Sequence, residues 1–463
     1  MKARLALVFV IGILVWASPR PGAVDPRAWR LLAIFVATLV GIIAKPLPIG
    51  AMALLGIAAA LVTRTLTITE ALSGFGNVTL WLVVCAFFFA EGFIKTGLGA
   101  RIAYLLVSWF GRSTLGLGYS LVATDLILAP ATPSNTARAA GVVFPILQSI
   151  LRSTLETDPV KTRQTNAFLV LAVYQGTVIT SAMFITAMVA NPLVVQLAAA
   201  QNIVITWTSW AFAAVVPGFT SLIIIPLVVY TVCPPGTVRT PGAPAMAKAS
   251  LASLGPMSRN EKLMGMVSVV MIVLWIFGTT LNLDPTATAL LATAALLLTG
   301  VLTWDDLCSE HRAWDTFIWF GTLVMMASFL GQFGLVRWFS DKMAPVFGGI
   351  GWIPAMVGLS LTYFYTHYFF ASMTAHVSAM YAPFLAVALA LGAPPFLAAL
   401  ILGFFSSLFA SLTHYGTAPA PILFGSGHVP LGTWWKTGLV VSAVNIAIWL
   451  SVGAAWWKVL GLW

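Results

Sequence analysis

The sequence predicts an all-α polytopic membrane protein that contains two inverted repeats. The composition is the first reason: of 463 residues, 60% are hydrophobic and 8% are charged, and the mean hydropathy is +0.98. Soluble domains carry about a quarter charged residues, and disordered chains are more polar still, so both classes are excluded. The second reason is a series of long apolar segments, and the third is a pair of similar polar interruptions within two apolar zones.

The apolar segments are long enough, or nearly long enough, to cross a bilayer, which takes about 20 helical residues. The first segment follows Lys2 and Arg4. Residues 1–28 are therefore predicted to form an extra N-terminal transmembrane helix, with a cleaved signal peptide over residues 1–18 as the alternative. The segments lie at about residues 4–18, 29–44, 47–63, 79–94, 166–190, 209–232, 263–281, 285–302, 315–332, 394–412 and 433–456.

Two apolar zones, residues 113–150 and 350–391, are interrupted at their centres by small and polar residues. The first centre is LAPATPSNTARAAG at residues 128–141, and the second is YFFASMTAHVSAM at residues 368–380. Irregular backbone at membrane depth is tolerated only where it faces protein or a cavity. We therefore predict that each zone is a re-entrant helical hairpin with its tip inside the membrane.

The two halves of the chain match at a shift of 238 residues around these centres. The coinciding pairs are Ser134 and Ser372, Thr136 and Thr374, Arg138 and His376, and Pro145 and Pro383. Each half, residues 29–232 and residues 263–463, then contains three helices, a hairpin and two helices. Because five crossings is an odd number, the second half must be inverted, which is typical of secondary transporters. The chain is therefore predicted to have about 11 transmembrane helices and two hairpins.

The segment 233–262 separates the halves, and its Pro, Gly, Ala and Ser content predicts a flexible cytoplasmic linker. The formal net charge is +10, from 23 Lys and Arg against 13 Asp and Glu. With the N-terminus inside, most of the Lys and Arg residues fall on the cytoplasmic side, as the positive-inside rule requires. We expect a multi-pass protein of the cell inner membrane that contacts lipid. There is no basic stripe that would indicate a nucleic-acid partner.

The first hairpin tip carries Ser134, Asn135 and Thr136, which together supply hydroxyl and amide oxygens and an amide donor. The following helix is expected to start at about Ala137, so its free N–H groups would face the tip and favour an anion. The carbonyl groups that end the preceding arm can hold a cation such as sodium. A plain helix N-cap is the alternative interpretation. The recurrence of the pattern in the second half favours a binding site.

Two further interruptions follow the hairpins, at residues 174–192 and 411–429. In the second, one glycine and two prolines (Gly416, Pro419 and Pro421) would break a helix at membrane depth and leave the Thr417 hydroxyl free. In the first, Thr186 and Asn191 play the similar part. A proline kink without any ligand is the alternative.

Arg138 and His376 are basic residues at equivalent positions, one turn beyond each tip. Ionisable groups within a membrane are candidates for function, and here they would place positive charge beside an anionic substrate. The structural alternatives are an ion pair of Arg138 with Asp125 or Glu91, and a buried His376 whose hydrogen bonds are satisfied.

No enzyme motif competes with a transport function. The five histidines include no HExxH, and the chain has no GxxxxGK[ST] phosphate-binding loop, which argues against an ATP-driven pump. A channel is the other serious class, and it would require a continuous pore. A non-transport membrane enzyme is a weaker alternative.

Three motifs resemble the divalent anion:sodium symporter family: PSNTAR…FP, SMTAH…AP and THYGTAPAPILFGSGHV. The branch they resemble contains plastid 2-oxoglutarate/malate translocators and bacterial citrate or tartrate:succinate antiporters. The resemblance implies homodimers, a scaffold and a moving transport domain, elevator-type alternating access, and di- or tricarboxylates held by the two tips. The positions that match the family's binding motifs are Ser134, Asn135, Thr136, Ser372, Thr374 and Thr417.

One departure from the family pattern affects the coupling ion. Met373 stands where the family has a second asparagine, and a thioether is a poor ligand for a hard cation. Ala187 and Met188 fall where the family's first interruption usually has small or polar residues. Sodium is therefore expected, if anywhere, at Ser134 and Asn135. We expect exchange of malate, succinate or 2-oxoglutarate without obligatory sodium. Citrate or tartrate is the alternative substrate, and sodium-coupled symport is the alternative mode of transport.

Overall fold

The computed structural model describes residues 2–153, 158–343 and 351–463, and every regular element within them is a helix. Ten of the described helices are long and apolar enough to cross a membrane. This confirms the all-α membrane fold. The ten are Pro26–Ala44, Val78–Thr96, Thr114–Ala131, Pro159–Met183, Trp207–Val232, Arg259–Gly278, His311–Gln332, Met373–Ala390, Pro395–Leu412 and Leu431–Val459.

The division into spans differs in detail from the predicted eleven helices plus two hairpins. The N-terminal helix Lys2–Ala17 has 16 residues, and Ile49–Val62 and Pro285–Leu298 have 14 each, so these three fall short of the length of a full span. The ten include one arm of each hairpin, Thr114–Ala131 and Met373–Ala390. Lys2–Ala17 ends two residues before Pro19, and Pro285–Leu298 ends two residues before Gly300, which has a positive φ.

The order of elements in the first half of the chain recurs in the second. The third element of each series is a short helix that begins with a capping box, formed by Thr67 with Glu70 and by Thr303 with Asp306. The first series is Pro26–Ala44, Ile49–Val62, Ile68–Leu72, Val78–Thr96, Leu98–Phe110, Thr114–Leu128, Phe144–Ser153, Pro159–Met183, Ala190–Ala199 and Trp207–Val232. The second is Arg259–Leu281, Pro285–Leu298, Trp304–Ser309, His311–Gln332, Leu335–Met343, Trp352–Tyr365, Ala382–Ala390, Pro395–Leu408, Pro419–Gly425 and Leu431–Ile448.

The two hairpins have the same internal construction. Each first arm ends in a short 3-10 turn, Ala129–Ala131 or Thr366–Phe369, and is followed by extended backbone at the tip. Each return arm contains a π-helical segment soon after the tip, Ala137–Val143 or Val377–Tyr381. Helical structure in the first return arm begins at Asn135, two residues earlier than expected. Such π segments often occur at functional sites.

The predicted flexible linker is wrong for a large part of residues 233–262. Gly242–Leu254 is a helix that packs against Leu98–Phe110, with Ala243 and Ala247 fully buried. The reason is local composition, because AMAKASLASL is rich in strong helix formers and its alanines permit close packing. The next helix begins at Arg259, still within the predicted linker.

Pro159–Met183 is the central helix of the fold. It packs against Thr114–Leu128 of the first hairpin, against Pro395–Leu408 and against Trp207–Val232, and 94% of its span is buried. The apolar segment predicted at residues 166–190 is therefore interrupted by the break that follows Met183. The end of this helix is held inside the protein, where irregular backbone is tolerated.

Candidate functional site

Two irregular segments meet the hairpin tips at the centre of the molecule. We define the first break as residues 184–189, between Pro159–Met183 and Ala190–Ala199, and the second break as residues 413–418. The two breaks align in sequence at a shift of 229 residues, because the preceding helical segments end at Met183 and Leu412. Pro192 and Pro421 then lie at matching positions in the helices that follow.

The first hairpin tip joins the second break directly. Asn135 Nδ2 donates a hydrogen bond to Thr417 Oγ1 at 3.1 Å, across 282 residues of sequence. Both side chains are buried, with Asn135 8% and Thr417 2% exposed. The fold thus brings together two residues that the sequence indicates as candidate ligands in two separate motifs.

The two tip serines cap their own helices. Ser134 Oγ accepts a hydrogen bond from Ala137 N–H at 3.1 Å, and Ser372 Oγ accepts one from Ala375 N–H at 3.4 Å. This is the N-cap geometry that the sequence left as an alternative. Capping uses the oxygen as an acceptor and leaves the hydroxyl hydrogen free to donate.

Thr136 and Thr374 occupy equivalent positions one residue into the helical turn of each tip. Both residues are partly exposed. Neither hydroxyl has a hydrogen-bond partner among the described residues. Each of these hydroxyls can therefore donate to a ligand that approaches the tips.

Arg138 does not offer a free positive charge. It is fully buried, and Nε lies 3.2 Å from Asp125 Oδ1, while Nη1 donates to the carbonyl groups of Thr132 at 2.6 Å and of Ala187. Nη2 donates to Ser181 Oγ at 3.0 Å. These contacts favour the structural alternative for Arg138, because its charge is paired and most of its donors are occupied, and its role as a substrate ligand stays a prediction.

His376 is also fully buried and faces neutral groups. Its Nδ1 lies 3.2 Å from His367 Nδ1, and its Nε2 lies 3.2 Å from Thr366 Oγ1. Tyr363 and Phe370 stack on the ring at 4.7 and 4.6 Å between centroids. These contacts favour the structural alternative of a buried His376 with hydrogen bonds inside the second hairpin, and its role beside the substrate stays a prediction.

The second tip and the first break have no counterpart of the hydrogen-bonded pair Asn135 and Thr417. At the shifts of 238 and 229 residues, Met373 corresponds to Asn135 and Met188 to Thr417, and both methionines are buried. Among the residues expected in the first break, Thr186 accepts a hydrogen bond from Trp207 Nε1 at 3.1 Å. Its hydroxyl in turn donates to a carbonyl of the first hairpin. The second tip and the first break thus carry two thioethers at the positions where the first tip and the second break carry an amide and a hydroxyl.

Asn191 stabilises the first break through its side-chain nitrogen. Its Nδ2 donates to the carbonyl groups of Ser181 and Phe184, at 2.7 and 2.8 Å. The side-chain amide therefore bridges the end of the central helix and the start of the break. This bonding explains why an asparagine precedes the proline there.

Sequence reasoning missed two residues at the centre. Thr132 Oγ1, two residues before Ser134 at the first tip, is a buried oxygen without a hydrogen-bond partner in the described part of the chain. His367 lies nine residues before His376, and its Nε2 is 2.9 Å from Gly416 O. No sequence signal marked His367, because its partners come from three separate segments. Thr132 stood inside the quoted tip motif and could have been included.

The whole chain, residues 1–463, matches the family model described as the sodium:sulfate symporter transmembrane region. The chain belongs to this family. The membership confirms the family resemblance and the prediction of a transporter rather than an enzyme. The chain is 53% identical over 462 residues to the putative malate transporter YflS of Bacillus subtilis, covering 99% of this chain and 96% of that protein. It is 48% identical over 469 residues to the chloroplastic dicarboxylate transporter 1 of Spinacia oleracea, covering 100% and 82%.

A solved transporter structure shares the fold of this family member. The MtrF protein of Neisseria gonorrhoeae superimposes with a TM-score of 0.56, covering 98% of this chain and 94% of that chain. The sequences are 14% identical, so the likeness concerns the fold alone.

Proposed function

We propose that this transporter exchanges C4–C5 dicarboxylates of the malate, succinate and 2-oxoglutarate class, with citrate or tartrate as the alternative substrates. The observation that carries the proposal is the hydrogen bond between Asn135 and Thr417, which joins the first tip to the second break. The printed names of the two relatives, a putative malate transporter and a dicarboxylate transporter, support the substrate class.

The donors around the tips suit a pair of carboxylates. An ionised carboxylate only accepts hydrogen bonds, and Thr136 and Thr374 each hold a hydroxyl with no other partner. Asn135 adds the amide hydrogen that does not serve Thr417, and the serine hydroxyls at both tips add two further donors. A dicarboxylate would place one carboxylate at each tip. Each carboxylate would then accept hydrogen bonds from the free N–H groups that begin the return arm of that tip. Arg138 and His376 are then left to support the site from behind.

Exchange accounts for the charge of the substrate without a cation. Moving one elementary charge against 100 mV costs about 2.3 kcal/mol, so uptake of a dianion requires at least two compensating charges. Swapping one dianion for another moves no net charge. We therefore favour antiport without obligatory sodium.

Sodium-coupled symport is the second candidate, and the first tip is the observation in its favour. Thr132 Oγ1 is an orphaned buried oxygen there, and Ser134 and Asn135 add a hydroxyl and an amide oxygen, the type of ligand that hard cations prefer. At the second tip, Met373 offers sulfur at the position of Asn135. The residues thus fit one sodium ion at the first tip and not a second one opposite.

The recurring order of elements supports alternating access of the elevator type. In this proposal the hairpins, the breaks and the helices attached to them move together against the other helices of a homodimer. The distribution of Lys and Arg supports an inner-membrane location with a cytoplasmic N-terminus.

Counterflow in proteoliposomes tests the exchange. Vesicles containing the purified protein are loaded with unlabelled malate or left empty, and uptake of labelled malate, succinate and 2-oxoglutarate is measured in sodium or choline buffer. We expect uptake only into loaded vesicles and equal rates in the two buffers.

Two other outcomes would reject that mode of transport. Accumulation in empty vesicles driven by a sodium gradient would establish symport, and unitary ionic currents in planar bilayers would establish a channel. Failure to exchange or accumulate any of these anions, or citrate, would reject the substrate class itself.

A further inference from the structure

We propose that His367 is a positioning residue for the dicarboxylate site, which fixes the second break through a hydrogen bond to the carbonyl group of Gly416. The inference rests on the proposed function, because its readout is the affinity for a dicarboxylate. His367 does not itself lie among the donors assigned to the substrate. It acts on Thr417, the residue that follows Gly416 and that bonds Asn135.

The first half shows what such a hydrogen bond does. Arg138 donates to the carbonyl group of Ala187, which lies in the first break immediately before Met188. The same guanidinium also bonds the Thr132 carbonyl at its own tip. One long side chain thus ties the first tip to the first break.

The second half makes the equivalent connection with two rings. His376 stands at the position of Arg138, and Gly416 stands at the position of Ala187, by the shifts of 238 and 229 residues. His376 bonds His367 at 3.2 Å, and His367 Nε2 lies 2.9 Å from the Gly416 oxygen. His367 therefore spans the distance that the longer arginine covers by itself in the first half.

The directions of these hydrogen bonds follow from the carbonyl group of Gly416, which is the last acceptor in the series. A carbonyl oxygen only accepts, so His367 Nε2 carries a hydrogen, and Nδ1 of the neutral ring is then an acceptor. His376 Nδ1 must donate to it. Thr366 Oγ1 lies 3.2 Å from His376 Nε2 and 2.9 Å from the carbonyl of Tyr363, so its one hydrogen serves either group. The bonds from His376 to His367 and on to Gly416 do not depend on that choice.

Two features keep His367 in place. The ring is fully buried and stacks on Phe409 with 3.8 Å between centroids. Gly416 permits the close approach, because a Cβ atom at that position would lie 2.8 Å from His367 Nε2 and 2.9 Å from Thr413 Oγ1. The glycine is thus required by contact with the histidine, since its own φ is not among the positive values.

Two substitutions separate the hydrogen bonds from the packing. His367→Phe keeps a ring of similar size for stacking on Phe409 and removes both hydrogen bonds. His367→Gln retains one donor and one acceptor. His428→Phe is the matched control, because His428 lies outside the tips and breaks, 3.4 Å from Asn166.

The measurement is malate counterflow, resolved into KM and maximal rate. For His367→Phe we expect KM to rise about 2–10-fold, the range for loss of one net hydrogen bond, with a nearly unchanged maximal rate. His367→Gln should return KM to within about twofold of the original protein, by the same conversion. An unchanged KM for His367→Phe, or a Gln variant as impaired as the Phe variant, would overturn the positioning role.

A double-mutant cycle with Thr417→Val distinguishes positioning from general stability. If His367 acts through the second break, adding His367→Phe to Thr417→Val should raise KM no further, because coupled residues are non-additive. If the fold increase in KM of the double variant equals the product of the two single increases, His367 has an independent structural role and the proposal is overturned. Should His367→Phe fail to fold by size-exclusion chromatography, Gly416→Ala tests the same contact by forcing the histidine away. A normal KM in that variant would then overturn the proposal.

Failure of this inference is distinguishable from failure of the proposed function. If the unmodified protein exchanges no dicarboxylate, the proposed function fails and the positioning role fails with it. If the unmodified protein exchanges malate while the cycle is additive, only the role of His367 is lost.

Discussion

Asn135 is the residue whose replacement should affect transport most, because it serves both the ligand and the second break. Its amide donates to Thr417 at 3.1 Å in a site from which solvent is largely excluded. Asn135→Ala removes this bond and the amide group available to a carboxylate. A hydrogen bond to a charged partner is worth about 1.5–3 kcal/mol, which corresponds to a loss of affinity of roughly 10–100-fold.

The assay is counterflow of labelled malate over a range of concentrations, with protein amount matched by quantitative blotting of the proteoliposomes. Asn166→Ala is the control, since Asn166 is a similarly buried asparagine away from the tips. Size-exclusion profiles of both variants establish that the protein is folded. Uptake close to normal by folded Asn135→Ala would refute the reasoning and leave the first tip as a plain helix cap.

Three further predictions concern coupling, stability and the connecting helix. Met373→Asn combined with Met188→Thr should introduce sodium-dependent uptake that choline does not support, and uptake indifferent to sodium would contradict the role given to the thioethers. Asp125→Asn should lower the free energy of unfolding by about 3–5 kcal/mol, and with it the melting temperature, because it leaves Arg138 buried without its counter-charge. An unchanged melting temperature would contradict that ion pair. Ala247→Asp should release the Gly242–Leu254 helix and speed its cleavage in limited proteolysis, whereas equal rates would show that the helix is not held by packing.

The fold and the tips were predictable because they rest on local signals. Long apolar segments identify membrane helices, and polar interruptions in apolar zones identify re-entrant backbone, whatever the rest of the chain does. The match between Ser134 and Ser372 was visible as a simple shift in the sequence. The helix Gly242–Leu254 was not predicted because prolines and glycines flank it, and the average composition of residues 233–262 is therefore that of a flexible linker.

The contacts of the site depend on how distant segments approach one another, which the sequence does not display. The pairing of Asn135 with Thr417 requires both halves to fold around a shared centre. Arg138 was named with its eventual partner Asp125 among the alternatives, but periodicity alone does not choose between a pair and a free charge. His367 gave no signal, because its role needs the backbone carbonyl of Gly416, a group that every residue carries.

The bond between Asn135 and Thr417 also bears on the history of a duplicated chain. Two half-length proteins that associate head to tail would build the same centre twice, with one amide and one hydroxyl on each side. Once the copies are fused, selection acts on each position separately, and one of the two pairs is free to change. Met373 and Met188 occupy the positions of such a relaxed pair. The two halves are therefore specialised parts of a single unit, and exchanging one half for a second copy of the other would remove either the amide or the hydroxyl.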